Sequence, residues 1–101
     1  MSISEIPLTA DNQHFTVQLG GRWLRFTLLW RDESGWVVDI HSESDEPLIS
    51  GVPLVTGVDL FEPYRHLGFS GELRVLLDDD ATLYPGKTSL GKRSHLLYIS
   101  A

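Results

Sequence analysis

The chain has 101 residues, 42% of them hydrophobic, a formal net charge of −6 and no cysteine. This size and apolar content suit a single folded domain, 1–101, and exclude a disordered chain. The acidic balance argues against nucleic acid and membrane as partners, and the lack of cysteine excludes disulfides and thiolate metal sites.

The first residues, MSISEIPLTADNQ, lack the basic and apolar regions of a signal peptide. No apolar run approaches the roughly 20 residues that span a bilayer. The expectation is a soluble product, made and used from the cytoplasm. Ile3, Ile6 and Leu8 flank Pro7, which cannot donate to a ladder, so this segment reads as an edge strand or extended lead-in. From His14 to Leu19 apolar and polar residues alternate, with Phe15, Val17 and Leu19 on one face. That period of two marks a half-buried strand. Gly20-Gly21 signals a tight hairpin. Arg22 to Arg31 alternates again. Leu24, Phe26, Leu28 and Trp30 form the expected core face, and Trp23, Arg25, Thr27 and Leu29 a mixed second face.

Asp32 to Gly35 is a second hairpin loop and Trp36 to Ser42 a third strand. Ser44 to Pro47 is a turn, and Leu48 to Val55 a strand kinked at Gly51 and Pro53. Phe15 to Ile49 therefore reads as an antiparallel meander. Leu60, Phe61, Tyr64 and Leu67 are spaced as on a helix, Asp59 can cap it, and Pro63 limits it to a turn or two. In this reading Leu60, Phe61 and Tyr64 close the core, while Arg65 and His66 face outward, so that Arg65→Ala leaves folding intact. Gly71 to Leu77 is a strand, Ala81 to Ser94 irregular, and His95 to Ser100 the last strand. The fold class is all-β, a small antiparallel β-sandwich or partly open barrel with one short helical turn. Strand order is not legible.

No catalytic, cofactor-binding or metal-binding constellation emerges. His14, His41, His66 and His95 lack metal-ligand spacing. Asp78-Asp79-Asp80 lacks the EF-hand pattern and reads as a solvated strand end, with cation binding left open. Gly86-Lys87-Thr88 resembles the tail of a phosphate loop, but Ala81 stands where the leading glycine is required. No G-x-S-x-G elbow occurs. Six of the fourteen acidic residues lie between Asp32 and Glu46, whereas Lys87, Lys92 and Arg93 lie in the irregular stretch before the last strand. Such segregation suits docking between subunits, and aromatics and arginine are interface residues. Candidate interface residues are Trp23, Arg25, Arg65, Lys87, Lys92 and Arg93. A different reading is a carbohydrate-type ligand-binding β-barrel, with Trp23 paired to Tyr64 or Phe69 in a groove. A small hydrolase would instead need histidine and carboxylates converging in one pocket.

The order of elements carries a resemblance. Ile6-Pro7-Leu8 leads into Phe15 to Gly21, then Leu24 to Trp30, then Gly35-Trp36-Val37-Val38-Asp39-Ile40. The segment from Pro47 to Leu60, PLISGVPLVTGVDL, follows, with Tyr64-Arg65-His66-Leu67 behind it and Leu96-Leu97-Tyr98 closing the chain. This resembles the baseplate plug proteins of contractile-tailed bacteriophages. The resemblance implies a non-enzymatic virion component at the centre of the tail baseplate, assembled in the host cytoplasm. It further implies contacts with hub, spike and tail-tube subunits, and an oligomeric arrangement in the particle.

Overall fold

The computed structural model describes residues 2–78, 85–87 and 90–100. Among these, seven strands run in chain order: β1 (Ser2–Ile6), β2 (Gln13–Leu19), β3 (Arg22–Arg31), β4 (Gly35–Ser42), β5 (Pro47–Pro53), β6 (Glu72–Leu77) and β7 (Ser94–Ser100). A short 3-10 helix, Glu62–Leu67, sits between β5 and β6. Tight loops join β2 to β5, so the meander expected from the sequence forms one four-stranded sheet in the order β2-β3-β4-β5. The other sheet has the order β1-β7-β6, all antiparallel. The fold is an all-β sandwich of two antiparallel sheets; the sheets do not close into a barrel.

Local chemistry accounts for the turns. Gly20 and Gly21 have φ of 59° and 80°, the positive pair that a primed two-residue hairpin needs and that a Cβ would disfavour. The kink expected near Gly51 is a β-bulge. Val38 pairs with Val52 and Ile40 with Ile49, so β5 carries one residue more than β4 over this span. Gly51 takes a φ of 64°, and its N–H donates to the Asp39 carboxylate.

Inward-facing residues of both sheets share one core. Leu24, Phe26, Leu28, Trp36, Val38, Ile40 and Ile49 come from the larger sheet, and Ile6, Leu73, Val75, Leu96 and Tyr98 from the smaller. Full burial of each such side chain is worth about 1.5–3 kcal/mol. Leu60 and Phe61 are buried and Tyr64 packs against the core, so the helical segment does close it as anticipated. Phe61 stacks on Phe69 with ring centroids 4.3 Å apart. Two details depart from strict alternation. Trp30, on the expected core face, is only half-buried, its ring edge against Trp36 and its Nε1–H on Asp32. Val37, on the opposite face of β4, is buried between Leu29 and Pro53 in register.

Candidate interaction surface

The segment between β5 and β6 is organised by one carboxylate. Asp59 is buried and accepts the N–H groups of Phe61 and Leu73, both at 3.0 Å. The first bond starts the turn into the 3-10 helix; the second ties that turn to β6. Arg65 closes the arrangement, its guanidinium pairing with Asp59 and donating to the carbonyls of Phe69 and Gly71. Asp59 thus sets the turn just ahead of the helix but does not cap it, the N-cap position being Phe61 with no side-chain cap, and Arg65 is not simply outward. Its side chain stays 42% exposed while its charge is committed to the fold. Both Arg65 and His66 are exposed as expected, but only Arg65 is tied back into the fold. The correction has a plain cause: a buried carboxylate requires a cation, and Arg65 lies six residues away across a tight turn.

This construction leaves a cleft of about 590 Å³ along the seam where β5 and β6 are the facing edges of the two sheets. Val52, Val55, Val58, Leu60, Pro63 and Tyr64 line it, with Glu62 and Arg74 at its rim. Thr56 bridges to Val75 across the seam. Sequence reasoning missed this cleft, because it exists only once β5 and β6 are known to be edge strands.

Trp23 and Arg25 lie on the outer face of β3. Trp23 is 47% exposed. Arg25 contacts Asp45 at 3.4 Å, an exposed pair of small energetic weight. Arg25 also lines a second depression, of about 470 Å³, with His14, Thr16, Thr27, His41 and Asp45. The expected pairing of Trp23 with Phe69 does not occur. Phe69 is buried, with the Arg22 guanidinium carbon 5.1 Å above its ring centroid.

The basic residues before β7 do not gather with these. Lys92 and Arg93 are exposed in the turn into β7, and the Arg93 carbonyl accepts the Asp78 N–H. Lys87 lines a crevice with Asp11, Asn12, Trp30 and Trp36, and the Trp36 indole N–H holds the adjacent Gly86 carbonyl at 3.0 Å. The acidic stretch is split as well. Asp32 and Glu33 sit at one end of β4, and Glu43, Asp45 and Glu46 at the other. Asp79, Asp80 and Tyr84 lie outside the described residues. Among the described residues no group of three or more His, Cys, Asp or Glu could hold a metal.

Among the described residues His95 is the one histidine brought between carboxylates. Its Nδ1 faces Glu5 at 2.8 Å and its Nε2 faces Asp78 at 3.0 Å. The hydrogen bond to Glu5 is the main reason its pKa lies above the ordinary 6.5; Asp78 adds to the rise and partial burial opposes it. With both nitrogens engaged by carboxylates, the ring has no free site to take a proton from a nucleophile. The cluster links β1, β7 and the end of β6 instead. A pKa raised by folding gives stability that is full below the unfolded value and fades as pH rises through the folded one. We expect His95→Gln to cost more stability at about pH 6 than at about pH 8, read from paired urea melts. An equal cost at both would show that the imidazolium does not hold the strands.

The model of a family described as the cyanophage baseplate Pam3 plug gp18 matches residues 3–101. Comparison with curated proteins gives no match.

Proposed function

The chain belongs to this phage baseplate plug family, and we propose that it is a structural subunit of a contractile-tail baseplate, acting through protein–protein contacts at the central plug and hub. The family match across 3–101 carries this reading. The exposed Trp23 and Arg25 and the open apolar cleft support it, since aromatic and arginine anchors and apolar pockets are what partner subunits engage. Hub, spike and tail-tube subunits are the partners we propose, in an oligomeric arrangement assembled in the host cytoplasm. Trp23, Arg25, Lys87, Lys92 and Arg93 are offered as contact residues, and Arg65 as one only through its exposed part. The core shared by both sheets supports taking 1–101 as a single domain. We assign no enzymatic activity, cofactor or metal, and neither nucleic acid nor membrane as a partner. The carbohydrate reading loses the Trp23–Phe69 platform, because Phe69 is buried.

Mass spectrometry of purified virions tests the proposal. The chain is expected in intact contractile-tailed particles and in isolated baseplates. Its absence from both would sink the reading.

A further inference from the structure

We propose that Trp23 of one copy seats in the β5–β6 cleft of the next, so that the chain self-associates head to tail. This deepens the reading of the chain as a subunit acting through protein contacts. The cleft defines its occupant by charge. Asp59 is consumed by Arg65, and Arg74 is paired with Glu72 at 2.6 Å. Glu62 is exposed and makes no ion pair among the described residues. The occupant therefore combines an apolar group with a neighbouring cation.

The exposed large hydrophobic residues among those described are Ile3, Trp23, Val58 and Leu76. Val58 belongs to the cleft itself. In a strand, residues two apart share a face. Ile3 shares its face with Glu5, which is held by His95 and supplies no cation to meet Glu62. Leu76 shares its face with Arg74, already bound to Glu72. Trp23 shares its face with Arg25, which is 53% exposed and only loosely held by Asp45. Trp23 is also the side chain type most favoured as an interface anchor, and a cleft of about 590 Å³ accommodates an indole with room for the adjoining backbone.

Within one molecule Trp23 does not reach the Pro53 wall of the cleft. Val37 is level with both Leu29 and Pro53, so the cleft's Pro53 lies at the height of Leu29. Trp23 is six residues before Leu29 on the same strand. At ~3.4 Å per residue this is about 20 Å, beyond the reach of an indole. Knob and hole being different surfaces, the association is heterologous, and it either closes into a ring or grows as a filament.

The cysteine-free sequence makes the test direct. Gln18 lies opposite Trp23 in register and is exposed, and Val58 is on the cleft wall. Gln18→Cys and Val58→Cys proteins, mixed under mild oxidation, should give the mixed disulfide several-fold over either homodimer. Sedimentation should show self-association of the wild type, weakened about 30-fold by Trp23→Ala. Glu62→Lys should weaken it about tenfold, and Arg25→Glu in the same chain should restore it. Melting temperatures should stay near wild type, since these side chains are exposed. A chain that remains monomeric at about 1 mM, or that cross-links without preference, overturns the proposal. A monomer that enters virions only with Trp23 intact also overturns it, placing another subunit in the cleft while leaving the baseplate reading in force. Self-association with preferred cross-linking, in a chain absent from virions, would support the contact and remove the baseplate reading alone.

Discussion

Asp59→Ala is expected to destabilise the fold by about 2–6 kcal/mol, chiefly the cost of two buried N–H donors losing their acceptor, with a half-exposed ion pair lost besides. The substitution strips the acceptor from two backbone N–H groups, those of Phe61 and Leu73, and leaves the Arg65 charge facing a turn built to receive a carboxylate. Each buried donor left without a partner costs about 1–3 kcal/mol. Asp59→Asn should fall between wild type and alanine, because its amide oxygen can still accept one or both N–H groups while the ion pair is lost. Arg65→Ala should cost less than Asp59→Ala, since the arginine is 42% exposed and water can partly replace it. Urea unfolding with an unchanged slope would report these as losses of stability. If Asp59→Ala melts like wild type, the carboxylate does not organise this segment.

Leu60→Asp should leave the chain largely unfolded. Leu60 is 7% exposed and adjoins Phe61 in the shared core. The change forfeits roughly 1.5–3 kcal/mol of apolar burial and adds several more for a desolvated carboxylate beside Asp59. A domain of this length has about 5–15 kcal/mol to lose. Circular dichroism should show loss of the strand signal at 25 °C, whereas Leu60→Val should retain it. A folded Leu60→Asp protein would mean that the helical segment is an appendage and not a lid on the core.

Much of the larger sheet was legible from local pattern alone. Alternation over β2, β3 and β4, the Gly20-Gly21 pair and the Asp32 to Gly35 loop specify consecutive antiparallel neighbours, and those are the pairs that form. The smaller sheet was not legible, because its central strand is the last in sequence and its partners are the first and the sixth. No short-range signal encodes such a pairing. The same blindness extends to surface features. The cleft depends on which strands are edges, and the His95 cluster depends on Glu5 and Asp78 arriving from β1 and the end of β6. Arg65 was legible as exposed but not as the partner of Asp59, for a related reason. Its place after a proline-limited turn suggested solvent, while the decisive fact was the burial of a carboxylate that pattern reading had treated only as a cap. Trp23 and Arg25 were legible as an outer face because β3 alternates cleanly.

The central position of β7 bears on how the molecule is made. Ser2 pairs with Ser100, so β1 waits for almost the whole chain before it has a neighbour, and β6 waits for the same strand. Pairings this distant in sequence slow folding, because a large loop must close before any contact rewards it. During synthesis the four-stranded meander can assemble first, with its inner face uncovered. Completion of β7 then supplies the smaller sheet in one step. A ribosome-bound chain therefore exposes apolar surface until its last strand emerges, and a ligated or fused extension at either end would lie beside the other.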